Sequence, residues 1–205
     1  IYSVDQDVLK AFSYNDLFQQ TSNFLDIYED RNISIDEKEV NVIHALRKKL
    51  VEQIMEQPFL PTHNDFERRN LHMGADEEII LLDFQDLGFG PIGIDLAGIL
   101  IDHYYEINLE LVSSYSNKFA QLSKFDLSGD EVYEYALWGA LQRNLRIMGT
   151  LTSLYIHKNK KFRIMDLPRI ISNSATVANE IGESELSNFL SNTVLPEFNE
   201  RIKVL

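Results

Sequence analysis

There is no cysteine among the 205 residues, which excludes a disulfide framework and any thiolate zinc site. That suits a reducing compartment, and the cytoplasm is the expected location. Positive charge is scarce: 19 Lys and Arg stand against 32 Asp and Glu, a formal net charge of −13. A general nucleic-acid binder needs clustered cations along a phosphate backbone, so nucleic acid is not an expected partner; the short Lys158–Lys161 run reads as a solvated loop. No apolar run approaches the length of a membrane span. The opening residues, IYSVDQDVLK, carry acids where a signal peptide has a basic region, so a membrane is not an expected partner either. Internal repeats, linkers and low-complexity tracts are also missing. With 44% hydrophobic residues, the chain is expected to form one ordered domain over residues 1–205.

What is present concentrates in one stretch, PTHNDFERRNLHMGADEEIILLDFQDLGFGPIGID, from Pro61 to Asp95. His63, Asp65 and Asn70 share a short loop, and Asp83 follows a continuous apolar run within Glu78–Leu82 that suggests a buried strand. Two loops meeting beside a strand end can converge on one cation. Phosphoryl transfer uses such a set, because the protein there mainly positions a hydroxyl, a triphosphate and magnesium. Asp65 can accept the hydroxyl's hydrogen bond and later its proton, while Asn70 and Asp83 offer the hard oxygens that magnesium prefers. The plain alternative is that Asp65 and Asn70 cap turns, since both residue types bond their own backbone. An Asp/His metal hydrolase is a second rival, with His63 and His72 nearby. Asp86 has two open readings, facing substrate or starting the turn before Gly88.

The spacing H-x-D-x-x-x-x-N at His63–Asn70, the Asp at Asp83 and G-x-x-x-x-D at Gly90–Asp95 together resemble the aminoglycoside phosphotransferase and choline kinase superfamily. The resemblance implies that Asp65 is the catalytic base, Asn70 and Asp83 bind magnesium, His63 braces the loop and Asp95 holds it through backbone hydrogen bonds. It implies ATP as co-substrate, Mg2+ as cofactor and a small-molecule sugar or alcohol as acceptor. The fold implied is α+β, mostly α: a protein-kinase-like C-terminal lobe with a small β-hairpin and surrounding helices. No Gly-rich phosphate loop or V-A-I-K-like strand precedes the loop, and in resembling kinases such elements form an N-terminal lobe over the nucleotide. The chain is therefore expected to need that lobe as its partner and to be inactive alone.

Along the chain, the spacing of apolar residues predicts a short helix over 5–12, a helix over 14–31 and, after a Ser34/Glu37 capping box, an amphipathic helix to about Glu56. Asn70–Met73 and Glu78–Asp83 should pair as a hairpin that sets Asn70 beside Asp83, with Phe84 packing inward. A helix from Ile94 to about Tyr105 should place His103 in the core. Helices over 109–122, from a Ser128/Glu131 capping box to about His157, over 167–181 and over 184–190 complete the lobe, with Pro196 near the start of a last one. Gln142, Arg143, Asn144 and Arg146 interrupt the apolar surface of the long helix, and a buried guanidinium needs a carboxylate or phosphate partner. Gln142 and Arg143 are candidates for substrate contact; an internal salt bridge from Arg143 to Asp102 or Glu106 is the alternative.

LQRNLRIMG at Leu141–Gly149, with Asp166–Arg169, HNDFERRNL and DFQDLGFGPIGIDL, resembles the bacterial anomeric kinases of N-acetylmuramate and N-acetylglucosamine in cell-wall recycling. An aminoglycoside or choline-type kinase keeps the chemistry with another acceptor. A non-catalytic interaction lobe is the competing reading from another class.

Overall fold

The computed structural model describes residues 6–24, 37–161 and 163–202. In chain order its main elements are α1 (Tyr14–Gln20), α2 (Glu37–Met55), β1 (Phe59–Thr62), β2 (Leu71–Met73), β3 (Ile79–Leu81) and β4 (Gly88–Pro91). Then come α3 (Ile92–Leu100), α4 (Leu109–Leu122), α5 (Gly129–Lys158), α6 (Leu167–Glu180), α7 (Ser184–Phe189) and α8 (Leu195–Ile202). The fold is α+β and mostly α, with two small antiparallel strand pairs among the described residues. Among the described residues, no helix is long and apolar enough to cross a membrane.

The chain's contacts group into two compact units, each assembled from separate segments. The first unit contains residues 1–13, 54–102 and 108–140, and with them the whole Pro61–Asp95 stretch. Its core is built by Ile92 and Leu96 of α3 against Val132 and Ala136 of α5, flanked by Leu60, Leu100, Phe119 and Leu127. The two helices approach to backbone contact: a Cβ added to Gly139 would lie 2.0 Å from the Gly93 carbonyl oxygen, and one added to Gly93 would lie 2.2 Å from that of Tyr135. Gln57 seals this joint, accepting from the Gly93 amide at 2.9 Å and donating to the Tyr135 carbonyl at 3.5 Å.

Two strand pairs hang from this joint. β1 and β4 pair in register Phe59 to Pro91 through Thr62 to Gly88, and residues 10–12 run alongside, with Phe12 N donating to Phe89 O at 2.9 Å. Here the expected helix over 5–12 is corrected: only Gln6–Val8 form a 3-10 turn, because the following residues join Phe89 through their backbone. The predicted hairpin is present as β2 and β3, Leu71 opposite Leu81, and its ladder extends to Leu82 N on Asn70 O at 2.9 Å. Its burial, however, differs from expectation. Ile79 is 70% and Phe84 62% exposed, because a two-stranded ribbon brings no second layer of its own to cover an apolar face.

In the second unit (residues 14–53, 103–107 and 141–205), α6 presents Leu167, Ile170, Ile171, Ser174, Ala175 and Ala178 at helical spacing. It packs on α7, on the π-helical turn Leu190–Val194 and on α8. Arg47 of α2 is buried with its Nε on Thr21 Oγ1 at 3.0 Å and its Nη2 on Phe18 O at 2.9 Å. Burial pulls its guanidinium below the ordinary value. The helix expected over 14–31 is described to Phe24 only, as α1 and a 3-10 turn at Ser22–Phe24; its remainder and Ser34 of the first expected capping box lie outside the described residues. α3 starts at Ile92 and ends at Leu100, so the buried His103 sits in a connection rather than on that helix.

The second capping box is formed: Ser128 N donates to Glu131 Oε2 at 2.8 Å, and Glu131 N donates to Ser128 Oγ at 3.2 Å. Ser128→Ala should lower stability by about 1 kcal/mol, seen as an earlier urea midpoint with unchanged slope. The Ser128 amide, and then its hydroxyl, hold the Glu131 carboxyl below its usual range. Since the folded value is the lower one, this contribution is complete above the ordinary carboxylate range and disappears as pH falls through the lowered value.

Candidate active site

The loop after β1 is shaped by one buried carboxylate. Asp95, in the first turn of α3 and 5% exposed, accepts from His63 N on Oδ2 at 2.7 Å and from Asn64 N on Oδ1 at 2.8 Å. Both lone-pair faces of the acid are thus committed to successive loop amides, which have no strand partner at that point. Asn64 itself has φ 66°, a left-handed conformation that asparagine tolerates better than most residues. Its Nδ2 donates to Asp86 O at 2.7 Å, and Thr62 Oγ1 donates to its Oδ1 at 3.3 Å. Nothing in the sequence pattern singled out Asn64; its signal was only its place between His63 and Asp65.

His63 is fully buried, and its Nε2 lies 2.9 Å from Leu82 O, the carbonyl preceding Asp83. With Nε2 as donor, the ring ties the loop to the end of the hairpin. Asp65 follows at the loop's open edge. Asn70 Nδ2 donates to Asp65 O at 2.8 Å and to its Oδ2 at 3.2 Å, which leaves the amide oxygen Oδ1 as the atom of Asn70 suited to a cation. Arg69 Nη2 also reaches Asp65 Oδ2, at 2.9 Å.

Asp83 occupies the left-handed region at φ 62°, ψ 41°, which aspartate, like asparagine, adopts more readily than most residues other than glycine. It precedes the 3-10 turn Phe84–Asp86 yet makes no side-chain cap hydrogen bond to it, and it is exposed. A capping role therefore does not account for this acid. Through the ladder bond between Leu82 and Asn70, the hairpin brings the backbones of Asn70 and Asp83 to the same end. An amide oxygen and a carboxylate are hard donors that fit magnesium. Among the described residues no cluster of three or more His, Asp or Glu side chains is arranged to hold a metal. Asp86 lies in the turn before Gly88, with its carbonyl held by Asn64 and its side chain exposed.

A family model for the Phosphotransferase enzyme family (APH) matches residues 16–126, more than half of the 205. The chain belongs to this family. This phosphotransferase-family chain is also similar to an N-acetylmuramate/N-acetylglucosamine kinase of Neisseria meningitidis serogroup B (strain ATCC BAA-335 / MC58), with 31% identity over 140 residues. That alignment covers 65% of this chain and 41% of the relative, so the chain spans less than half the length of the relative it matches.

Gln142 and Arg143 fall in the second unit, where both have internal partners. Gln142 Nε2 donates to Leu17 O at 2.9 Å, and Arg143 Nη1 lies 3.0 Å from His103 Nδ1. Both side chains are buried. Arg163 approaches the other ring nitrogen of His103 and pairs with Asp166 at 2.9 Å. His103 thus lies between two guanidiniums, and a neutral imidazole accepts a hydrogen bond at only one of its two ring nitrogens.

Proposed function

We propose that the protein containing this chain transfers the γ-phosphoryl group of ATP to the anomeric hydroxyl of an amino sugar, N-acetylmuramate or N-acetylglucosamine. The observation that carries the reading is the loop clamped by Asp95, which presents Asp65 and Asn70 together at the end of the hairpin that bears Asp83. The similarity to the Neisseria kinase supports the acceptor.

In this reading Asp65 accepts the acceptor hydroxyl's hydrogen bond and takes its proton as the new oxygen–phosphorus bond forms and ADP leaves. An anomeric hydroxyl is more acidic than an ordinary alcohol, so orientation weighs more in the rate than basicity. Asn70 Oδ1 and the Asp83 carboxylate would hold magnesium, which when bound neutralises charge on the triphosphate. His63 and Asp95 keep the loop and the hairpin end in fixed relation. Asp86, exposed beside this end, is a candidate for acceptor contact.

The test uses the full-length protein with ATP, magnesium and a panel of both amino sugars, choline and an aminoglycoside, with the phosphate position read by phosphorus NMR. Transfer to the sugar C1 oxygen is expected. Efficient transfer to choline or the aminoglycoside, with none to either sugar, would overturn the acceptor and leave the chemistry. In the same assay Asp83→Asn should raise the magnesium concentration needed for half-maximal turnover by about tenfold; an unchanged requirement would remove Asp83 from the metal.

A further inference from the structure

Two charged residues of the loop, Glu67 and Arg69, have no part in the chemistry described so far. Glu67 is only 2% exposed, and a buried carboxylate is tolerated when a cation lies against it. Arg69 provides that cation: its Nε is in ion-pair contact with Glu67 Oε1, a charge contact in which that oxygen accepts no hydrogen bond, while its Nη2 donates to Asp65 Oδ2 at 2.9 Å. One planar guanidinium therefore meets a buried acid at Nε and Asp65 at Nη2. The Arg69 side chain is itself 48% exposed, and a pair of this kind at positions i and i+4 contributes little to stability by itself. Its value is directional, because a fork with fixed donor angles defines where a carboxylate points, which a lysine ammonium does far less well.

We propose that Arg69 is a positioning residue for Asp65: anchored by Glu67, it fixes the direction of the carboxylate that meets the acceptor hydroxyl. The inference rests on the reading of Asp65 as the base. Asn70 supports the same oxygen at 3.2 Å, so two neighbours in sequence donate to Asp65 Oδ2 while the buried charge of Glu67 lies against one of them. Misplacing a reacting group by about 1 Å can reduce the rate by about a hundredfold, and the effect should fall on turnover rather than on binding.

The test compares Arg69→Gln, Arg69→Lys and Glu67→Gln with Asp65→Asn in the full-length protein, using whichever acceptor of the panel it phosphorylates best. Arg69→Gln should lower kcat by about tenfold or more, with KM for ATP and acceptor within about twofold and the melting temperature nearly unchanged. Arg69→Lys should recover part of the loss, and Glu67→Gln should lower kcat in the same direction. In a crystal structure of the 205-residue chain carrying Arg69→Gln, the Asp65 carboxylate should leave its present orientation. Wild-type kcat in Arg69→Gln, a fall in kcat matched by a lower melting temperature and raised KM, or an unmoved Asp65 would each overturn the proposal. Wild-type turnover by Asp65→Asn is a different outcome: it would sink the base assignment itself, and the crystal comparison would still decide whether Arg69 sets the carboxylate's direction.

Discussion

In the full-length protein, Asp65→Asn is expected to lower turnover by about a hundredfold or more while nucleotide affinity stays within about twofold. The substitution keeps the size and shape of the side chain and leaves Asn70 an oxygen to donate to. It removes the carboxylate proposed as proton acceptor and half of the ion pair with Arg69. Both losses act on the step in which the hydroxyl oxygen meets phosphorus, since the nucleotide is read as resting on Asn70 and Asp83 instead. Steady-state kcat together with calorimetric nucleotide binding separates the two effects. Turnover equal to wild type would take the base role from Asp65; a parallel loss of nucleotide binding would show that the variant had disturbed Asn70.

Asp95→Ala is expected to lower stability by about 2–5 kcal/mol, the largest structural effect at the site. The alanine deletes both acceptors of the His63 and Asn64 amides, and each donor left buried without a partner costs about 1–3 kcal/mol. His63 is fully buried and Asn64 nearly so, so water cannot readily replace the carboxylate. Asp95→Asn should be almost as damaging, because its NH2 group would face one of the two amide donors. Urea unfolding of the chain measures the effect, and a midpoint within error of wild type would mean that the two bonds carry no weight. Surviving folded protein should also turn over poorly in the full-length enzyme, because Asp65 follows the released segment directly.

Much of this architecture was legible in the sequence because its signals are local. A Ser-x-x-Glu box announced α5, apolar spacing announced α2, and Gly74 between two apolar runs announced the hairpin. The β1–β4 pair was not legible: GFGP and FLPT carry two glycines and two prolines in eight residues, and such strands form through their backbone pairing partner rather than through side-chain preference. The apolar run at Glu78–Leu82 suggested burial, yet a run of apolar residues reports a strand and not what covers it. At the candidate site the spacing of His63, Asp65, Asn70, Asp83 and Asp95 pointed to one region, and the structure gathers them around one loop and one strand end. The contacts of Arg69 with Glu67 and Asp65 were missed because ordinary charged residues on a loop look like solvated surface. Arg143 read as a buried cation from its place in an apolar helix, and it is buried, but pattern alone did not point to His103 beside it.

The backbone contact between Gly93 and Gly139 has a mechanical consequence for the loop. Most helix pairs meet through side chains, whose rotamers act as compliant pads and let the axes shift as packing changes. Here main chain rests on main chain, so the joint has few soft degrees of freedom with which to absorb a disturbance. Asp95 lies two residues beyond Gly93 on the same helix turn and grips the loop from there. The loop is therefore mounted on a nearly rigid bearing, and whatever motion accompanies a catalytic cycle should be sought in the exposed hairpin and its Phe84, rather than in the carboxylate that holds the loop.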